Sequence, residues 1–188
     1  MHPVVVVLAG GRSRRFGSDK LAADLGGRTL LDTTLDSVPA RLDVVVVGPE
    51  RPVRRPVRFV REEPPGGGPA AGLVAGLTAA LAVGADRVAT LPGDAPAAGS
   101  GVGVLLDALE PADLVVAVGA DGQVFPLQLA CTRAGAERFL AAAGDGAGLS
   151  PRRLLEPLDA VRVVVGERAL LDVDVPADLS RIGKDPTV

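Results

Sequence analysis

A chain of 188 residues, 47% of them hydrophobic, is long enough for one well-cored domain, and residues 1–188 are read as a single unit. A formal charge of -3 and 2% aromatic content argue against nucleic-acid partners, and no apolar run approaches the ~20 residues that cross a bilayer. One cysteine, Cys131, and one histidine, His2, exclude an internal disulfide, a cysteine-based zinc cluster and histidine catalysis; carboxylates, lysine, arginine and backbone groups remain, the toolkit of magnesium-dependent phosphoryl-type transfer.

The first predicted strand, 4–8, is a run of valines that begins too near Met1 to leave room for a secretory signal, so a cytoplasmic chain is expected. It feeds the segment LAGGRSRRFGSDK, from Leu8 to Lys20. Gly10 and Gly11 let backbone N–H groups approach phosphate oxygens, and Arg12, Arg14, Arg15 and Lys20 offset their charge. The chain holds only two lysines, Lys20 and Lys184, against a clear preference for arginine. Lys20 therefore stands out as a compact point charge able to follow a phosphate through a reaction. The spacing is not that of a Walker A loop, because Lys20 lies three residues past Gly17, nor of a Rossmann fingerprint, because Arg12 stands where the second glycine belongs. Asp19 is expected to cap the turn that follows.

A helix at 29–38 and a strand at 44–47 come next, and the proline- and arginine-rich stretch 49–56 reads as a surface connection. After the strand 57–60 lies REEPPGGGPAAG, Arg61 to Gly72, a shaped turn whose Pro69 suits the first turn of a helix at 69–82. The strand 88–91 runs into LPGDAP, where Asp94 is clamped between Pro92 and Pro96. A rigid carboxylate at a strand end suits a magnesium ligand, with a turn or N-cap role as the alternative. Beyond it are predicted a helix at 103–109, a strand at 114–118, a turn or reversal at 119–123, a strand at 124–130 and a helix at 133–143. A flexible glycine-rich loop at 144–150, a helix at 151–155, a strand at 161–165 and a helix at 176–182 complete the order. Strand–helix alternation predicts an α/β fold, a three-layer α/β/α sandwich on a mainly parallel Rossmann-like sheet. Ligands then belong outside the carboxyl ends of the strands. Near the end, LDVDVPADL supplies Asp172 and Asp174, which the residues themselves read as a strand end and N-cap before Pro176.

Every defined position of residues 8–20 matches L-A-G-G-x-S-x-R-[MF]-G-x-D-K, and over roughly residues 4–179 the chain resembles the MobA-like nucleotidyltransferases that build molybdenum-cofactor dinucleotides. The resemblance implies the nucleotide-diphospho-sugar transferase type of fold. It implies a molybdenum cofactor guanylyltransferase activity, in which GMP passes from GTP to a molybdopterin-type cofactor with release of pyrophosphate and with Mg2+ as cofactor. Transient contact with other molybdenum-cofactor proteins is implied too. Carried over by position, Leu8, Ala9, Gly10, Gly11, Lys20, Glu62 and Gly68 would bind the nucleotide. Lys20, Arg15 and Asp94 would act in catalysis, and Asp94 and Asp174 would hold metal. Gly68, Pro69 and Gly72 match the G-P-x-x-G that ends the family's base- and ribose-recognising loop. The chain departs from the pattern at Glu62, where Asp is usual, and at Gly93, in a motif similar to C-D-x-P. It departs again at Phe125, in a segment that often reads H-P-L, and at Asp172, Asp174 and Val175, in a segment that commonly reads N-x-N-T-P-x-D-L. A cytidylyltransferase for the same cofactor, a sugar-phosphate nucleotidyltransferase and a nucleotide-binding module without turnover are the alternatives.

Overall fold

The structure, a computed structural model, describes residues 1–11, 16–17 and 19–182. Among these, seven strands form one sheet: β1 (Pro3–Leu8), β2 (Asp43–Val47), β3 (Arg58–Val60), β4 (Arg87–Pro92), β5 (Leu114–Val118), β6 (Val124–Thr132) and β7 (Val161–Val164). Their order is β3-β2-β1-β4-β6-β5-β7. All pairings are parallel except those of β6, which runs against both β4 and β5. The reversal is made at 119–123, where Gly119 N–H donates to Gln123 O and Gly122 N–H to Gly119 O, so the turn signal there is a hairpin.

The helices are α1 (Leu30–Ser37), α2 (Pro69–Ala82), α3 (Val102–Asp107), α4 (Arg133–Ala143), α5 (Pro151–Leu155), α6 (Glu167–Leu170) and α7 (Pro176–Ile182). Local chemistry sets their starts. Thr29 Oγ1 accepts Asp32 N–H at the head of α1, Thr132 Oγ1 accepts Gly135 N–H at the head of α4, and prolines open α2 and α5. The alternation of β1 divides the core. Val5 and Val7 pack on the side of Leu31, Leu35 and Leu105, whereas Val4 and Val6 face Leu73, Leu77 and Phe139. A strand buried on both faces needs no polar rung, which is why a run of β-branched valines suffices.

The predicted elements stand within a few residues of the observed ones, with five differences, the first being that α6 (Glu167–Leu170) has no predicted counterpart. Val57 lies outside β3 and packs on the core from the connection before it. The helix predicted at 103–109 is α3, entered through a 3-10 turn at Ala98–Gly101. The strand at the far edge, β7, leaves Val161 and Val164 exposed, because an edge strand lacks a layer to cover both faces. The loop 144–150, expected to be flexible, is tied down at its backbone: Gly146 N–H donates to Ala143 O and Gly148 N–H to Gly67 O. Among the described residues no helix is long and apolar enough to cross a membrane.

Candidate active site

The floor of the site is backbone. At the carboxyl ends of β1, β2 and β4, Gly93 N–H donates to Leu8 O at 2.8 Å, Ala9 N–H to Val47 O at 2.7 Å, and Gly48 N–H to Val60 O at 2.8 Å. Two glycines permit this stacking. A Cβ on Gly48, where φ is +156°, would fall 2.6 Å from Ala9 O, and one on Gly93 would fall 2.9 Å from Leu8 O. Gly93, read in the sequence as a departure, is thus required by the approach of β4 to β1.

Over this floor opens a cavity of about 350 Å3. Leu8, Ala9, Gly10, Gly11, Lys20, Glu62, Gly68, Asp94 and Asp174 all line it, so the candidates drawn from four separated segments meet in one place. Phe16, Leu21, Val47 and Leu127 give it an apolar wall. Arg15, and with it Arg12 and Arg14, lies outside the described residues.

Lys20 stands at the centre. Asp19 Oδ1 accepts Leu21 N–H at 3.2 Å and so opens the 3-10 turn Lys20–Ala22, the capping role expected of it. From that turn Lys20 Nζ pairs with Asp94, donates to Val173 O at 3.0 Å and lies 3.8 Å from Asp174 Oδ1. Side-chain exposure is only 15% for Lys20 and 22% for Asp94, which strengthens their attraction relative to a pair in open water. Asp94 is itself held from both sides. Val173 N–H donates to Asp94 O at 2.9 Å, and the buried Thr34 hydroxyl lies 3.0 Å from Gly93 O, one residue before. The 3-10 turn after Asp94 begins at Ala98 with Ala97 in the capping position, so Asp94 is not a helix cap.

Around this pair the charge is acidic. Asp172 has its carboxyl pushed above the ordinary carboxylate range, first by burial and then by the negative charges of Asp94 and Asp174. Capping at the head of α7 is supplied by Asp178, whose Oδ2 accepts both Asp174 N–H and Val175 N–H at 3.0 Å. Asp94 and Asp174 offer hard oxygen ligands on the same cavity. Among the described residues no group of three or more His, Cys, Asp or Glu side chains forms a metal cage. Two carboxylates with room left for water and phosphate oxygens fit Mg2+, which dehydrates reluctantly and is seldom fully caged by protein.

The opposite rim is the segment before α2. Glu62 Oε1 accepts Gly66 N–H at 3.1 Å, and the same carboxylate reaches to within 3.7 Å of where a Cβ on Gly10 would stand. It therefore ties its own loop together and also borders the glycine-rich loop. Gly68, at φ +93°, turns the chain into α2, so the positive end of that helix begins at the cavity wall. Phe125 packs partly buried against the core, as an apolar ring must, and buried Gln128 donates through Nε2 to Ala169 O at 2.9 Å, holding α6 against β6.

The sequence reading passed over Arg51. It sits in the connection after β2, and its Nη1 lies 2.7 Å from Asp19 Oδ2. The rule that drew attention to the ends of β1, β3 and β4 applies equally to the end of β2 and would have found it.

Residues 5–169 match the MobA-like NTP transferase domain. Over 100 residues the chain is 40% identical to a molybdenum cofactor guanylyltransferase of Sinorhizobium fredii, a stretch covering 48% of this chain and 45% of that protein. The chain spans about half the length of the curated relatives it matches. The fold is that of the molybdopterin-guanine dinucleotide biosynthesis protein A of Archaeoglobus fulgidus, with a TM-score of 0.75 and 21% identity over 96% of both chains. The 2-C-methyl-D-erythritol 4-phosphate cytidylyltransferase of Thermus thermophilus is similar as well, at a TM-score of 0.70 and 21% identity over 100% of both chains.

Proposed function

The chain belongs to the MobA-like NTP transferase family, and from that premise we propose that it is a molybdenum cofactor guanylyltransferase, moving GMP from GTP to a molybdopterin-type acceptor. The observation that carries this reading is the meeting of Lys20, Asp94 and Asp174 beside Gly10 and Gly11 in one cavity. An oxygen of the acceptor's terminal phosphate attacks the α-phosphorus of GTP, a new phosphoanhydride bond forms, and the bond from the α-phosphorus to the β-bridging oxygen breaks to release pyrophosphate. No covalent intermediate with the protein is needed; positioning and charge stabilisation carry the rate.

The backbone of Gly10 and Gly11 cradles the phosphates beside Ala9, and Lys20 offsets the charge that grows on the departing pyrophosphate. Arg15 is assigned to the same work by its place in the matching motif. Asp94 and Asp174 would hold Mg2+, which when bound neutralises phosphate charge. Glu62 presents carboxylate oxygens to the cavity, acceptors suited to the N–H edge of guanine or to a ribose hydroxyl. We assign the reaction to the cytoplasm, with transient contact to other molybdenum-cofactor proteins at the acceptor's delivery and departure.

A panel of GTP, CTP, ATP and UTP, each with magnesium and molybdenum cofactor, tests this by pyrophosphate release and by thermal shift. GTP is expected to give the fastest release and the largest shift, and at 100 times its dissociation constant it adds about 2.7 kcal/mol of stability. Equal shifts for all four, or a largest response to CTP, would remove the guanine assignment. Binding without release for every nucleotide would leave only a nucleotide-binding module.

A further inference from the structure

We propose that Arg51 is a positioning residue for Lys20, acting through Asp19; this rests on the nucleotidyltransferase reading given above. Among the described residues of the stretch 9–19, one contact is made to the end of β2 and one to the connection that follows β2. At its start Ala9 N–H donates to Val47 O at 2.7 Å. At its end Arg51 Nη1 meets Asp19 Oδ2 at 2.7 Å.

The two oxygens of Asp19 do different things. Oδ1 holds Leu21 N–H and thereby the first turn of Lys20–Ala22, while Oδ2 takes the Arg51 guanidinium. The carboxylate is therefore oriented by Arg51, and the turn that aims Lys20 is oriented by the carboxylate. Arg51 is not a solvated surface cation. Its side chain is 19% exposed against 52% for Asp19, and its Nε is shut off from solvent. Where Lys20 points depends on this end of the segment, because Lys20 follows Asp19 directly and reaches Asp94 and Val173 O from there.

A half-exposed ion pair contributes little to stability. A small displacement of a charge at a reacting phosphate, by contrast, can cost up to ~100-fold in rate. Arg51→Ala should therefore lower kcat for pyrophosphate release about tenfold while leaving nucleotide Kd within about threefold and the melting midpoint nearly unchanged. Asp19→Asn, which keeps an oxygen for Leu21 N–H and discards the charge, should show the same split. Arg51→Lys should recover most of the rate.

The decisive measurement is made in a Lys20→Ala background, where removing Arg51 should cost less than about twofold, since Arg51 acts through Lys20. An equal tenfold loss in both backgrounds overturns the proposal, as does a kcat unchanged by Arg51→Ala. Hydrogen exchange at the Leu21 amide tests the anchoring independently of activity. Faster exchange in Arg51→Ala supports it and unchanged protection overturns it, even if the wild-type protein releases no pyrophosphate and the functional reading falls.

Discussion

The two edges of the same sheet treat charge in opposite ways. At the carboxyl edge of β1, β2 and β4, Lys20 and Asp94 pair at 15% and 22% exposure among apolar walls. At the amino edge of the same strands, His2 meets Asp43 at 3.0 Å with 46% and 76% exposure, and the Met1 ammonium lies 3.9 Å from Asp86 with 71% and 46%. The rungs of the ladder are alike at both ends. The difference lies in the loops: at the carboxyl edge Gly48 and Gly93 let backbone segments lie directly on one another, and the Lys20 and Asp94 charges are largely shielded from solvent. At the amino edge the charges stay in water, where such pairs are screened and worth little. Charge is shielded where the loops can close over it.

The contrast is broken most severely by removing the charges of the carboxyl edge. Asp94→Asn and Lys20→Ala are each expected to cut pyrophosphate release by about 100-fold or more, on the order of 3 kcal/mol of barrier, with the folded state retained by circular dichroism. Partial rescue of Asp94→Asn by manganese would locate the metal at this carboxylate. A folded variant with near-full activity would deny the residue its role.

Gly48→Ala attacks the loop stacking rather than the charge. A Cβ 2.6 Å from Ala9 O at φ +156° leaves backbone to move, and a loss of about 2 kcal/mol is expected in urea unfolding. Unchanged stability would show that the close approach is dispensable.

Asp172→Asn sharpens the same comparison with a smaller effect and the opposite sign. Burial, then Asp94 and Asp174, raise the folded-state pKa of Asp172 above its ordinary 3.8. Between the unfolded and the raised folded value, the folded chain holds a proton that the unfolded chain has lost, so stability falls as pH rises through that window. Removing the carboxylate should therefore stabilise the protein at pH 7, by less than ~1 kcal/mol because the residue is largely open to solvent and its charge is screened, and the gain should vanish at acid pH. A destabilised variant at pH 7 would mean that the charge is needed by the fold.

The smallest effect belongs to the amino edge. The hydrogen bond to Asp43 is the main cause that raises the pKa of His2 above its ordinary 6.5. Its contribution to stability is present below that value and lost as pH rises through the folded one. His2→Ala should leave turnover at the wild-type level and flatten only this slight change in melting midpoint between about pH 5 and about pH 9. A loss of turnover would erase the distinction between the two edges.

Much of this architecture is written in local pattern. Residues 4–7 announce a doubly buried strand by four β-branched apolar residues in a row, and Pro69 marks the start of α2. The spacing of residues 8–20 separates this loop from the common phosphate motifs and carries the family resemblance. These are properties of neighbouring residues, governed by sterics, solvation and turn chemistry that act over a few bonds. Less legible were the loop 144–150, whose glycines suggest freedom while Gly148 N–H is held by Gly67 O, and Arg51, which reads as one arginine among several in a polar connection. Their partners lie far away in the chain, and no local pattern carries that information.

The sequence by itself thus determined most of the strands and helices, the chemistry available to the site, and the family. Only the tertiary structure decided that Gly93 must be small, that Asp19 answers to Arg51, and that Lys20 is aimed at Val173 O across 153 residues of chain. The physical reason is that short-range preferences select elements one at a time, whereas a site at a sheet edge exists only once parallel pairing has brought the ends of distant strands side by side.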